Sequence, residues 1–315
     1  MDSNASIVTR FAPSPSGPLH LGHAYAAIVA HDAARFCGGR FLLRIEDLDR
    51  SRSRAEFEAG IHHDLDWLGL VPDAPTVRQS ERMGAYRAAL ELLDRGGLLY
   101  PCFCTRKEIL AEIAAIGDAP HADPSSGFPP AYPGTCRGLD AEERARRIAA
   151  GAPYVLRLDA SRAAALLTER GLWPAEFVEA WMVGSPCSIK TEPEPAGDIV
   201  LARKDVPASY HLAVVVDDAD SRVSAVTRGA DLFQATHIHV LLQRLLGLKT
   251  PAYGHHPLVR DESGKRLAKR DKARGLGELR AAGWDAARVR ASLPALPDFG
   301  LLADAVALSR HPTSC

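Results

Sequence analysis

RFAPSPSGPLHLGH, residues 10–23, places three prolines, two glycines and a histidine pair just ahead of a long apolar run. Upstream, SIVTRF (6–11) alternates and is β-branched, which predicts a strand. APSPSGP (12–18) reads as a loop. LHLGHAYAAIVAHDAARF (19–36) predicts a helix, stopped by Gly38 and Gly39. FLLRI (41–45) is a short apolar strand whose C-terminal edge carries Glu46, Asp47 and Asp49, and helices are expected near 53–68 and 81–95. Strand, loop, helix, strand, helix is the grammar of a parallel α/β sheet. Ligands of such sheets bind beyond the carboxyl ends of the strands. Both RFAPSPSG and RIEDLD (44–49) fall there.

Further along, residues 117–135 are rich in Pro, Gly and Ser and predict a long loop. Asp140 with Glu143 suits the start of a helix over 141–150. YVLRL (154–158), DIVLAR (198–203), YHLAVVV (210–216) and VSAVTR (223–228) have strand character. Residues 160–195 show no clear period, and SPCSIKTEPEPAG (185–197) reads as loop. LFQATHIHVLLQRLLG (232–247) predicts a strong helix, and 275–315 a small helical tail.

A chain of 315 residues fits about two domains. It needs neither metal nor disulfides merely to fold. The net charge of −1 does not advertise nucleic-acid binding, which depends on where charges cluster. Six cysteines are too few for a disulfide scaffold of this length. The first residues lack a basic region followed by an apolar one, and no apolar run approaches the ~18 residues of a membrane span. A cytoplasmic, soluble chain is expected.

A helix N-terminus offers unpaired N–H groups and the positive end of a dipole, which suits phosphate. His20 and His23 at that end could donate to a polyphosphate, and Gly22 would let a flat ring approach the backbone. Spacing alone suits two surface histidines equally. RDESGKRLAKRDKAR (260–274) holds seven basic and three acidic residues. It could neutralise charge on a leaving pyrophosphate, or be a solvated basic loop. Cys102 and Cys104 form CFC, followed by Tyr132 and Cys136 in AYPGTC. Three thiolates and one oxygen could complete a tetrahedral zinc, His121 is a rival fourth ligand, and two buried free cysteines fit CFC equally. Cys37, Cys187 and Cys315 read as core or surface thiols, and His237, His239, His255 and His256 as packing or hydrogen-bonding residues.

HLGH near the start and GKRLAKR (264–270) resemble the two signatures of class I aminoacyl-tRNA synthetases. RFAPSPSGPLHLGH, RIEDLD, YHLAVVVDD (210–218) and VTRGADL (226–232) narrow the resemblance to glutamyl-tRNA synthetases, and more closely to their short paralogues that modify queuosine in tRNA(Asp). The resemblance runs from about residue 7 to 272. It implies an α/β, Rossmann-like doubly wound parallel sheet. The catalytic domain would be split into 1–98 and 196–250 by an inserted zinc-binding, acceptor-like subdomain at 99–195. A mobile signature loop and short helical tail would occupy 251–315, with no anticodon-binding domain.

The same resemblance implies site residues. Arg10, Ala12 and Ser14 would bind glutamate, Glu46 its ammonium, and Tyr210 and Arg228 would be the other amino-acid contacts, with Arg228 apt for a carboxylate. His20, Gly22, His23 and Lys269 would bind ATP, with His20, His23 and Lys269 catalytic. Cys102, Cys104, Tyr132 and Cys136 would hold one structural Zn2+, and Mg2+ would accompany ATP. The implied reaction is in-line adenylation of L-glutamate, then transfer to the queuosine base in the anticodon of tRNA(Asp), by a protein expected to be a monomer. The family's second signature departs here: Arg266 and Ala268 stand where lysine and serine are usual, while Lys269 is kept. A truncated synthetase charging an acceptor end, and a non-catalytic relic, are the alternatives.

Overall fold

The structure is a computed structural model that describes residues 6–115, 132–193, 197–203, 208–260 and 274–310. Its N-terminal layer is β1 (Val8–Phe11), β2 (Arg40–Ile45) and β3 (Val77–Arg78), paired in that order and all parallel. A second sheet has the order β7 (Cys187–Lys190), β6 (Glu176–Glu179), β10 (Ala252–His256) and β9 (Ala225–Gly229). Within it β6, β10 and β9 are parallel and β7 is antiparallel. The two meet where Val8 N donates to Ser224 Oγ and Ser224 N donates to Val8 O. β1 therefore lies beside β9 and the parallel layer is continuous in space.

Helices cover both faces. α1 (Leu21–Phe36) packs on β1, β2 and β9, and α11 (Phe299–Arg310) on β10 and β6. Gly39 permits the turn from α1 into β2, because a Cβ there would lie 2.0 Å from Ile7 O. On the other face Val8, Leu42, Phe177, Val226 and Tyr253 meet Val240 of α8 (Phe233–Leu245). A separate apolar cluster joins α8 to α3 (Met83–Arg95), α6 (Ala160–Glu169) and α7 (Tyr210–Asp220). A third sheet, β4 (Leu99–Cys102), β5 (Val155–Leu158) and β8 (Val200–Arg203), is antiparallel and carries Cys102. α4 (Arg106–Ala115) and α5 (Ala141–Ala149) flank it in sequence. α2 (Ala55–Trp67) contacts α9 (Leu276–Ala281), and α10 (Ala286–Ala291) adds Val289 to the same core. Among the described residues no helix is long and apolar enough to cross a membrane.

Three local expectations are corrected. YHLAVVV is helix, not strand. Ser209 caps it, and Leu212 to Val216 are all buried between neighbouring helices. A helix buried all round has a continuous apolar run, which periodicity cannot tell from a buried strand. CSIK, expected in a loop, is strand β7, which pairs residue by residue with β6 from Glu176–Lys190 to Glu179–Cys187. The helix expected from residue 19 begins at Leu21, because His20 is its extended N-cap.

Candidate active site

The loop after β1 and the end of β2 are tied together, since Glu46 N donates to Pro13 O. This sets Ala12 and Ser14 beside Glu46, at the carboxyl ends of the parallel strands. Tyr210 opens α7. Ser14, Glu46 and Tyr210 line one cavity of about 600 Å³, with Gln79, Tyr132 and His211 also in its wall. Arg10 and Arg228 lie behind that wall, 6% and 5% exposed. Arg228, Glu46 and Arg10 all act electrostatically on the Tyr210 phenol, so the four form one neighbourhood.

Charges here are buried and paired. Asp218 Oδ1 accepts from Arg10 Nε at 3.0 Å and from Arg44 NH1 at 2.6 Å. Arg10 also donates to Thr227 O, which fixes its direction. Arg44 lies 3.4 Å from Glu46 and 3.8 Å from Asp217. Asp217 in turn accepts from Gln79 and Tyr86. Burial works to raise the Asp218 carboxyl, but Arg10 and Arg44 hold it below the usual range. Burial raises Glu46 despite the same two arginines. Sequence reasoning missed Arg44, Asp217 and Asp218. The available signal was an Asp pair closing the apolar run VVVDD.

Arg228 sits in an aromatic and imidazole cage. Its Nε donates to His255 Nε2, NH1 to His239 Nδ1 and NH2 to Thr236 Oγ1. Its guanidinium also stacks over Tyr253. His239 and His255, expected to be hydrogen-bonding residues, are that. Burial and the Arg228 charge push His211 down to about 4 and lower His239 as well.

His20 caps α1 with its own ring. Its Nδ1 accepts from Gly22 N at 3.1 Å, and His23 Nδ1 accepts from His20 N at 3.2 Å. With Nδ1 accepting, the proton of each neutral ring sits on Nε2. The ring centroids are 3.8 Å apart. The flat ring that Gly22 admits is that of His20, since a Cβ would lie 2.9 Å from its Cε1. Leu276 N donates to Leu19 O, so the C-terminal segment packs on this cap. Arg266, Ala268 and Lys269, like His121, lie outside the described residues.

Cys102, Cys104 and Cys136 bring their sulfurs within 4.8 Å of one another, the described cluster suited to a metal. Cys104 Sγ is 3.4 Å from both Cys136 Sγ and the Tyr132 hydroxyl. That is far beyond a disulfide bond, and close to the ~3.8 Å that separates thiolates around a tetrahedral zinc. The donor set therefore fits a soft divalent metal. Burial raises the Cys104 thiol to about 11. Burial opposes Cys136 ionisation too, yet Tyr132 and Phe103 N hold that thiol lower. Cys136 N donates to the Tyr132 hydroxyl at 2.8 Å, and the Arg157 guanidinium covers the Tyr132 ring at 3.9 Å. Tyr132 thus belongs both to the cluster and to the cavity wall.

A capped helix N-terminus beside a buried arginine and carboxylate cluster, at the carboxyl ends of parallel strands, defines an α/β domain with a charged ligand site. The family model for the catalytic domain of class I tRNA synthetases (E and Q) matches residues 6–293. The glutamyl-Q tRNA(Asp) synthetase of Rhodobacter capsulatus is 49% identical, over 90% of this chain and 98% of that one. That of Symbiobacterium thermophilum is 45% identical, over 87% and 81%. The chain therefore belongs to the class I tRNA synthetases of the E and Q type, which are ligases, and within them to the family of the glutamyl-Q tRNA(Asp) synthetases. Among solved structures, the glutamate-tRNA synthetase of Elizabethkingia anophelis superposes with a TM-score of 0.67 at 30% identity, over 85% of this chain. A glutamate tRNA ligase from Elizabethkingia meningosepticum, in complex with its amino acid, gives the same values. This chain spans about half of each, 53% and 52%.

Proposed function

We propose that this chain activates L-glutamate with ATP and transfers the glutamyl group to the queuosine base in the anticodon of tRNA(Asp). The observation that carries the reading is the single cavity where Ser14, Glu46 and Tyr210 meet, with Arg10 and Arg228 behind its wall. A dicarboxylate amino acid needs cations for its carboxylates and an acid for its ammonium. Glu46 is the acid. Arg228 has five N–H groups, and three hold it to Thr236, His239 and His255. Two therefore remain for a carboxylate, with Tyr210 beside them. The names of the relatives at 49% and 45% identity support queuosine in tRNA(Asp) as the acceptor.

In the first step the glutamate α-carboxylate attacks the α-phosphorus of ATP and pyrophosphate leaves. In the second, a queuosine hydroxyl takes the glutamyl group from the adenylate and AMP leaves. Positioning and charge stabilisation do the catalysis. Nε2–H of His20 and His23 would donate to ATP phosphate, with Gly22 shaping the cap and Lys269 as the basic-loop contribution. Mg2+ would accompany ATP and neutralise its phosphates. Cys102, Cys104, Cys136 and the Tyr132 oxygen would hold a structural Zn2+, which braces the insert against the cavity. The insert, expected at 99–195 between catalytic halves at 1–98 and 196–250, would be built on the β4–β5–β8 sheet, while β6 and β7 join the catalytic sheet. The protein is assigned to the cytoplasm, as a monomer.

The test supplies ATP, radiolabelled glutamate and queuosine-containing tRNA(Asp), then cleaves the RNA and locates the label. Label on the anticodon fragment is expected. Label on the 3′-terminal adenosine would make it a charging synthetase. No label, with no glutamate-dependent pyrophosphate exchange, would overturn activation itself.

A further inference from the structure

Four buried side chains and the half-buried His211 form one line of hydrogen bonds that ends at the cavity. Glu179, fully buried, accepts from His255 Nδ1 at 2.6 Å and from the backbone N–H groups of His255 and Trp181. His255 Nε2 accepts from Arg228 Nε at 3.2 Å and from the Thr236 hydroxyl at 3.0 Å. On its other side Arg228 NH1 meets His239 Nδ1 at 3.1 Å, and His239 Nε2 meets His211 Nδ1 at 3.2 Å. His211 lines the cavity with Ser14, Glu46 and Tyr210.

We infer that Arg228 fixes the tautomers of His239 and His211, so that His211 Nε2–H is an obligate donor that selects a substrate carboxylate over a carboxamide. The polarity follows from donor chemistry alone. A guanidinium has no acceptor, so His239 Nδ1 must accept and its proton must sit on Nε2. That Nε2–H donates to His211 Nδ1, which leaves the His211 proton on Nε2, the nitrogen not bound to His239. The same argument runs the other way, where the Glu179 carboxylate can only accept and the His255 proton therefore sits on Nδ1. The burial that lowers all three imidazole pKa values keeps them neutral, as this order requires.

A ring with an unconstrained tautomer can rotate its proton to suit either oxygen or NH2. A ring whose tautomer is fixed cannot. A carboxylate offers acceptors only, so it satisfies the His211 N–H. A glutamine side chain must turn its amide oxygen to one donor and its NH2 towards another, which leaves two donors opposed. Sites with buried, committed donors reject such analogues strongly. His211 is on this reading a substrate contact, and His239 a positioning residue that acts through it. The inference rests on the proposed glutamate site around Arg228.

The test compares kcat/KM for glutamate and glutamine in ATP–pyrophosphate exchange. His239→Leu should lower the glutamate preference about tenfold or more, because His211 Nδ1 loses its donor. His239→Gln repeats one acceptor and one donor, and should hold the preference within about threefold. An unchanged preference in folded His239→Leu would overturn the inference. Arg228→Ala is the control. If it leaves glutamate KM unchanged, the glutamate site itself is misplaced. If it removes glutamate use while His239→Leu keeps the preference, only the tautomer chain fails. Nitrogen-15 NMR of the wild-type histidines reads the tautomers directly, without a variant. Protons on Nε2 of His239 and His211 and on Nδ1 of His255 are expected, and a proton on His211 Nδ1 would refute the chain.

Discussion

Replacing Asp218 tests whether the buried charge cluster holds Arg10 in its working direction. Both arginine bonds reach the same oxygen, Oδ1, at 3.0 and 2.6 Å. Asn is nearly isosteric and can keep an oxygen there, but not its charge. A bond to a charged group contributes about 1.5–3 kcal/mol and a neutral one about 0.5–1.5, so two bonds lose about 2 kcal/mol. Asp217, 3.8 Å from Arg44, keeps its charge and prevents a larger loss. Ala removes the acceptor altogether, and stranding buried arginines costs about 3–5 kcal/mol. That is a large part of the ~5–15 kcal/mol that holds a domain folded. Urea unfolding followed by fluorescence of the four tryptophans is the assay. With m of about 2 kcal/mol/M, Asp218→Asn should lower the midpoint by about 1 M. Its glutamate KM should rise more than its ATP KM, because Arg10 keeps only the Thr227 O anchor. A midpoint within 0.2 M of wild type together with unchanged glutamate KM would refute the reasoning.

Gly22→Ala should drive the His20 ring off the helix cap and raise the ATP KM about tenfold, at little change in glutamate KM, as read by pyrophosphate exchange. Equal KM values for both proteins would show that the cap ring does not serve ATP. Cys104→Ser should lose bound zinc by elemental analysis, and stoichiometric zinc in that variant would remove Cys104 from the ligand set. His211, His239 and His255 have native pKa values below the ordinary 6.5, by burial and then, for His211 and His239, Arg228. Their stability contribution is full above 6.5 and is lost as pH falls through that value towards about 4, where His211 titrates, because the unfolded chain binds protons that the native state refuses. Calorimetric Tm should therefore fall from pH 7 to pH 5, less steeply in His239→Gln, and a parallel fall in both proteins would assign the effect elsewhere.

Where local rules decide, the residues can be read directly. The β1–loop–α1–β2 unit follows from alternation, Pro and Gly punctuation and the Gly38–Gly39 stop, and it carries Ser14, His20, Gly22, His23 and Glu46 to one strand edge. Tyr210 was also legible by motif, although the element that presents it is a helix. Partners drawn from distant segments were not legible. Arg228 is held by Thr236 and His239 on α8 and by His255 on β10, and nothing in VTRGADL announces them. Asp218 reaches Arg10 across 208 positions. Short edge strands such as β7 exist only because β6 offers a register, so their sequence carries little signal of its own.

The seam between the two halves of the parallel layer also sets a clock for synthesis. Val8 and Ser224 are 216 positions apart, and their two hydrogen bonds close the open edge of β1. A ribosome adding about 5–20 residues per second needs roughly 10–40 s to supply that partner. During that interval β1 and β2 have formed only one half of a sheet, with an apolar edge and backbone donors open to other nascent chains. The site at the carboxyl ends of these strands can be assembled only after Ser224 and β9 have left the ribosome. Slow translation of the intervening residues would then lengthen the exposure.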